Sequence, residues 1–448
     1  MKQLLWLGLV LFLYVTCSGC GDTFRPIIIP NPPVFPNPAA AHTVVAINDN
    51  GAVVPGSAMV IDVSGDTDVS VANVGPAPVH AVQQTASQVL VVNHSVTGGA
   101  LADSITKLNF NSTIISSANT ISLPPNSAPN FVATTESSQA YVLLPGYVPP
   151  SVGVVSTVSN NLVAIIPVGN NPVAMAETPN SQKLYVANQG DSTISGFNTI
   201  DRSPRTVSGS FSAPLWVVAR SDSQRLYVLN GNGVVSTVDT TSTAGPDNVV
   251  DASINAPGAA YMLYDGNLNR LYIPGGSQLT MLDVSQSTPQ VLAGGPITIP
   301  TIAPSSRGPA DPCSSTSPQT LTVAAVAALP DGSRAYVGSY YEDAADNFCP
   351  QVTVIDVASN TIKSSITIPG FPAYDAFCSH TSFRVTMAAG GDSSRAYLAS
   401  CDGGMVNIID TSSDTYGLNL PAPIGSLPPI PPNPQNPPQN PVFLIAGP

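Results

Sequence analysis

Ser181-Gln-Lys-Leu-Tyr-Val-Ala-Asn188 is the stretch on which the fold turns, because the chain repeats it. It comes back as Ser223-Gln-Arg-Leu-Tyr-Val-Leu-Asn230, and in shorter form as Asn269-Arg-Leu-Tyr-Ile273, Ser333-Arg-Ala-Tyr-Val337 and Ser394-Arg-Ala-Tyr-Leu398. A unit that returns every few tens of residues buries its apolar surface against its own copies, so the period decides the architecture ahead of any local propensity.

Around each copy the grammar is constant. A short apolar run opens the repeat, often after proline, as in Asn171-Pro-Val-Ala-Met-Ala-Glu177. A Pro-Asn, Asp-Gly or Asp-Ser turn follows, then the Leu-Tyr-Val run. A Gly/Asn/Asp turn leads to a third run that ends near Asp, as in Val352-Thr-Val-Ile-Asp356, and a weaker fourth run is rich in Thr, Val and Ile. Four short β-type runs separated by turn residues predict one small antiparallel sheet per repeat. Alignment on the Tyr position gives Val45, Leu90, Tyr141, Tyr185, Tyr227, Tyr272, Tyr336 and Tyr397, spaced by 42 to 64 residues. The third runs end at Asp62, Asp239, Asp283, Asp356 and Asp410, with Asn111 and Asn198 as variants.

These residues resemble the YVTN family of β-propeller repeats, most closely over Lys183-Leu-Tyr-Val-Ala-Asn-Gln-Gly-Asp-Ser-Thr-Ile-Ser195. The resemblance extends from His42 to about Gly425. It implies an all-β propeller of four-stranded antiparallel blades, eight by repeat count with seven as the alternative, and it is silent on function. First strands are readable near Val79, Phe131, Val173, Trp216, Tyr261, Val323 and Val385, and none precedes Val45. The last segment, Asn440-Pro-Val-Phe-Leu-Ile-Ala-Gly-Pro448, has the form of a first strand. Pairing of Val442–Ala446 with Val44–Ile47 is therefore expected to close the ring, which leaves no blade edge open.

Composition narrows the function classes. Charged residues are 9% of the 448-residue chain and the net charge is −13, with 14 Lys plus Arg. No basic patch is present, so nucleic acid is not an expected partner. The start, Met1-Lys2-Gln3, precedes an apolar run from Leu4 to Val15 of signal-peptide rather than membrane-spanning length. It ends at Ser18-Gly19-Cys20, which resembles the lipobox of bacterial lipoproteins, with Cys17 where Leu is usual. The resemblance implies residues 1–19 as a signal peptide, lipid on Cys20, export, and a membrane anchor in the bacterial cell envelope. Residues 20–41 then form a proline-rich spacer, which favours extended geometry, ahead of a propeller spanning 42–448. Inside that propeller a proline-rich segment, 427–439, precedes the closing strand.

An oxidising compartment turns the other four cysteines into expected disulfides. Strand alternation puts the loop that enters a first strand and the loop that leaves a second strand on one face, here called the top. Cys313 and Cys378 precede first strands, and Cys349 and Cys401 follow second strands, which predicts the bridges Cys313–Cys349 and Cys378–Cys401. The same two repeats carry the longest insertions, Pro300–Gln319 and Tyr340–Pro350. Tyr340, Tyr341, Glu342, Asp343, Asp346, Tyr374, Asp375 and His380 are thus the candidate binding residues of top-face loops.

Catalytic and metal signatures are missing from the sequence. Outside the signal region there is no Cys-x-x-Cys pair for zinc, no Gly-x-Ser-x-Gly elbow, and no EF-hand spacing among Glu342, Asp343 and Asp346. His80, His94 and His380 fall on or near the top face but in different repeats, and are read as unrelated surface histidines. No cofactor, metal or catalytic residue is expected. Two function classes remain. One is a cell-envelope scaffold that binds an envelope ligand or protein through its top face. The other, by fold-level analogy alone, is a lactonase-like or quinoprotein-like propeller enzyme. First strands of mostly apolar residues, with Arg384 as a rare charged neighbour, favour binding.

Overall fold

The computed structural model describes residues 43–50, 54–94, 103–135, 138–303, 307–308, 311–372, 378, 384–421 and 440–446. Cys20, Tyr374, Asp375 and His380 lie outside the described residues, as do the proposed signal and spacer segments and 427–439. The described chain forms eight sheets in a ring, each built on four antiparallel strands: an eight-bladed β-propeller. The repeat count of eight thus holds, and seven does not.

Blade 1 mixes both ends of the chain. Its order from the channel outward is Asn440–Ala446, Thr43–Asp49, Pro55–Asp62 and Thr67–Pro76. Val44 pairs with Ala446, Val45 with Ile445, Ala46 with Leu444 and Ile47 with Phe443, so the closing strand sits where the repeat grammar calls for it. The other blades follow in chain order. Their second strands are Gln88–Asn93, Gln139–Leu144, Lys183–Asn188, Arg225–Asn230, Arg270–Gly275, Arg334–Glu342 and Arg395–Ser400.

The Leu-Tyr-Val signature is the geometry of a strand sandwiched between two neighbouring blades. Side chains alternate across a strand, so a strand buried on both faces must be apolar at every position. In blade 1, Val44 and Ala46 pack back onto Tyr397 and Val406 of blade 8. Val45 and Ile47 pack forward onto Ala81, Val89 and Val91 of blade 2. The Tyr position is the forward-facing one, and in two blades its hydroxyl bonds to the next blade: Tyr185 donates to Asp247 at 2.8 Å and Tyr336 to Asp414 at 2.6 Å.

The cation just ahead of the signature follows the same route. Lys183 donates to Asp247 and to the Thr240 and Ser242 carbonyls of blade 5. Arg270 donates to the Val357 carbonyl of blade 7, Arg334 reaches Asp414 of blade 8, and Arg395 reaches Asp66 of blade 1. The chain's few cations are largely spent as staples between blades. The acids that end third strands cap the following turns: Asp62, Asp239, Asp283 and Asp410 each accept from the backbone N–H two residues on.

Two local departures have physical causes. Blade 6 has a broken inner strand, reduced to Leu263–Asp265 and an isolated bridge from Ala259 to Gly275, with Tyr261 between them. Pro274 of the facing strand has no N–H to donate at that point. The segment Tyr340–Pro350 is a hairpin rather than a loop. Arg334–Glu342 and Asn347–Asp356 pair out to Glu342↔Phe348, and Asp343 closes the turn by accepting from the Ala345 and Asn347 N–H groups.

Candidate functional site

First strands run from the top face inward, so their leading residues line the mouth of the central channel. These are Phe443 in blade 1, His80 in blade 2, Phe131 in blade 3, Val173 in blade 4 and Trp216 in blade 5. Tyr261, Val323 and Val385 continue the ring through blades 6 to 8. The aromatic members touch in sequence. His80 stacks on Phe131 with ring centroids 4.0 Å apart and leans on Phe443 at 4.8 Å. Phe131 meets Trp216 edge-to-face at 5.3 Å, and Trp216 meets Tyr261 at 5.9 Å. Such edge-to-face and offset contacts suit the ring quadrupoles and hold the wall in one arrangement.

The wall borders two hollows, and Ala260 lines both. One, of about 160 Å³, lies among His80, Asn130, Phe131, Val173, Leu215 and Trp216. The other, of about 230 Å³, lies among Tyr261, Val323, Tyr340, Arg384 and Val385. Tyr261 is fixed there by its hydroxyl, which accepts the Val326 N–H at 2.6 Å.

Among the described residues, Arg384 is the charged side chain that lines the mouth. Its Nε and Nη2 donate to Asp402 Oδ2 at 3.0 and 2.9 Å, and its Nη1 pairs with Glu342. Burial works against the guanidinium's charge, but the two carboxylates outweigh it and hold the pKa above its ordinary value. The same guanidinium lies 5.1 Å from the Phe348 ring and 5.9 Å from the Tyr340 ring. Phe348, fully buried, stacks on Tyr340 at 4.6 Å and on Phe371 at 5.5 Å.

The disulfides support this corner. Cys313–Cys349 and Cys378–Cys401 are both formed, with Cα separations of 5.7 and 5.8 Å, in the pairing that strand alternation predicts. Cys401 opens the 3₁₀ turn Cys401–Gly403 that carries Asp402, so the second bridge fastens the turn that holds Arg384. The first bridge anchors the insertion before blade 7, where Arg307 donates to the Pro350 and Ile368 carbonyls.

The candidate binding residues separate in space. Tyr340 lines the larger hollow, and Glu342 stands at its rim on Arg384. Tyr341 is buried and donates to the Cys313 carbonyl at 2.6 Å, facing away from the mouth. Asp343 is occupied by its own turn, and Asp346 takes a left-handed φ of 56° within that turn. Among the described residues no three His, Cys, Asp or Glu side chains come together as a metal site.

His80 corrects the surface reading of the histidines. It is 7% exposed, inside the channel wall, and burial depresses its pKa to about 3, so it is a neutral ring. His94 does stay near the surface, 3.2 Å from Asp103. Phe131 and Trp216 were legible only as first-strand residues, His80 only as a surface histidine, and Asn130 carried no signal of its own. Their common position, near the start of successive first strands, is the signal that would have collected them.

No family model matches the chain, and no curated protein sequence matches it. Solved structures do resemble it. AztD of Citrobacter koseri superposes with a TM-score of 0.59 at 11% identity, covering 90% of this chain and 97% of that one. The dihydro-heme d1 dehydrogenase NirN, solved in complex with DHE, gives a TM-score of 0.58 at 14% identity, over 86% of this chain and 74% of that one. Hydrazine synthase of Kuenenia stuttgartiensis gives 0.52 at 16% identity, over 76% of this chain and 97% of that one. At these identities the likeness carries the propeller fold alone.

Proposed function

We propose that the protein is a lipid-anchored envelope propeller that binds its ligand at the top-face mouth of the channel and does no chemistry on it. The observation that carries this reading is the make-up of the mouth. Among the described residues its wall is aromatic and apolar, and its arginine and histidine are occupied: Arg384 by Asp402 and Glu342, His80 by burial as a neutral ring. Apolar concavity with a few placed polar groups is the usual form of a small-molecule site. General acid–base work asks instead for a group poised near the working pH.

The proposed anchor agrees with the topology. Thr43 begins a second strand, and second strands begin on the face opposite the mouth. A tether ahead of it attaches to the bottom face and leaves the mouth pointing away from the membrane. A proline-rich spacer over 20–41 would reach roughly 70 Å at about 3.1 Å per residue.

Labelling cells with a palmitate analogue should tag the wild type and not Cys20→Ala; equal tagging removes the anchor. For the mouth, Trp216 is the natural reporter, since the chain's other tryptophan is Trp6. In full-length Trp6→Phe protein, the small-molecule fraction of the envelope should shift Trp216 emission, and the bound compound should be recovered with its mass unchanged. A recovered product of altered mass would favour an enzyme. An unresponsive Trp216 would remove the mouth as the site.

A further inference from the structure

The larger hollow is an apolar chamber with a cation in its wall. Among the described residues that line it, Tyr261, Pro274, Val323, Ala324 and Val385 are apolar or aromatic, and Arg384 carries the charge. Neither acid on Arg384 is among those lining residues, so the charge that the hollow presents is positive. A guanidinium donates and does not accept, and its planar fork matches a carboxylate.

The two acids hold Arg384 unequally. Asp402 is fully buried and accepts from Nε and Nη2 at 3.0 and 2.9 Å. Breaking a buried pair of this kind costs a factor of a hundred or more. Glu342 is 40% exposed, at the end of the strand Arg334–Glu342, and meets Nη1. An exposed pair is worth no more than about fivefold. Asp402 is thus a fixture and Glu342 an exchangeable partner. The guanidinium is also held on its face, 5.1 Å from the buried Phe348 ring, and the Cys378–Cys401 bridge fastens the turn that carries Asp402. An incoming carboxylate meets a cation already in place, which spares part of the ordering cost of binding. Size sets the rest of the guest. A cavity of about 150 Å³ is known to hold benzene, and this one measures about 230 Å³, so a single ring on a short arm has room.

From this we infer that the larger hollow binds a compact monocarboxylate, whose carboxylate replaces that of Glu342 on Arg384 and whose apolar body lies against Tyr261, Val323 and Val385. A second carboxylate on the guest would lose its hydration without a cation among the described lining residues to pair with. The inference rests on the mouth being the binding site, and it adds the chemical class of the ligand.

The probe is 3-phenylpropanoate, with 3-phenylpropanamide and 3-phenylpropylamine as its neutral and cationic matches. Binding to the full-length protein at neutral pH is followed by calorimetry. 3-Phenylpropanoate should bind, the amide at least tenfold more weakly, and the amine not at all. Glu342→Gln removes the competing carboxylate from an exposed position and should tighten 3-phenylpropanoate binding about twofold to fivefold. Arg384→Gln should weaken it at least tenfold. Because that change strands Asp402 and puts folding at risk, Ala324→Leu is the second variant. It fills the hollow from a partly exposed position and should give the same loss with the thermal transition in place. Equal or tighter binding of the amide or the amine overturns the inference, as does unchanged or weaker 3-phenylpropanoate binding by Glu342→Gln. If none of the three compounds binds but the envelope fraction shifts Trp216 emission, the ligand class is wrong and the mouth stands. If the envelope fraction also leaves Trp216 unmoved, both readings fall.

Discussion

Removing the side chain of Leu444 should loosen the whole ring, because the closing strand is the only covalent segment that carries blade 1 back to the C-terminal end of the chain. Leu444 is 4% exposed and packs with Val44, Ala46, Tyr397 and Val406 at the seam between blades 1 and 8. Its backbone faces Ala46 of the second strand. Leu→Ala changes at buried sites cost about 2–5 kcal/mol, from lost transfer energy and from the cavity left behind. Rigid sheet on both sides of Leu444 limits collapse into that cavity, which places Leu444→Ala near 3 kcal/mol. With a denaturant slope of about 3 kcal/mol/M, the urea midpoint should fall by roughly 1 M. Ile200→Ala is the matched control: Ile200 is 87% exposed and its loss should stay within about 0.5 kcal/mol. Deleting residues 440–448 should go further, uncovering the backbone edge of Thr43–Asp49 and producing aggregation as well as a lower midpoint. If Leu444→Ala and Ile200→Ala melt alike, or the deletion melts like the full chain, the ring is not held shut by this strand.

His80 should give the fold an acid-sensitive component. Its folded pKa of about 3 lies below the ordinary 6.5, so the unfolded chain binds the extra proton between those values. Stability therefore rises with pH across that window and falls as pH drops below 6.5, by at most roughly 4–5 kcal/mol at pH 3. His80→Phe should flatten the stability–pH slope between about pH 4.5 and 6.5, a range above the ordinary carboxylate titrations; identical slopes would mean His80 is not buried as a neutral ring. At the seam between blades 4 and 5, Asp247 is fully buried and accepts from Lys183, Tyr185 and Arg205. Asp247→Asn should cost about 3–5 kcal/mol by stranding two cations. Asp66→Asn, whose pair with Arg395 is partly exposed, should cost no more than about 1 kcal/mol. Equal unfolding midpoints for the two variants would refute the staple at Asp247.

Much of the architecture was legible in the residues. The repeated Lys/Arg-Leu-Tyr-Val run marks a strand sandwiched on both faces, and its apolar continuity at Val44–Ile47 and Leu184–Ala187 could be read without a neighbour in view. The orphan run Val442–Ala446 had no partner in its own repeat, so closure was implied by counting. Strand alternation alone put Cys313 with Cys349 and Cys378 with Cys401. These are consequences of short-range periodicity, which sequence carries directly.

The mouth was not legible in the same way. His80, Asn130, Phe131, Trp216 and Phe443 come from four separate repeats, and nothing in the spacing of one repeat says how far a ring closes or which rings will touch. Tyr341 and Tyr340 are adjacent in sequence, yet strand alternation sends one to the Cys313 carbonyl and the other to the channel. Arg384 was visible as an odd charge, but its carboxylates arrive from the blade 7 hairpin and the blade 8 turn. Local pattern determines which residues form a blade; only the radial packing of eight blades determines which side chains meet at the axis, because that contact is set by ring geometry and not by distance along the chain.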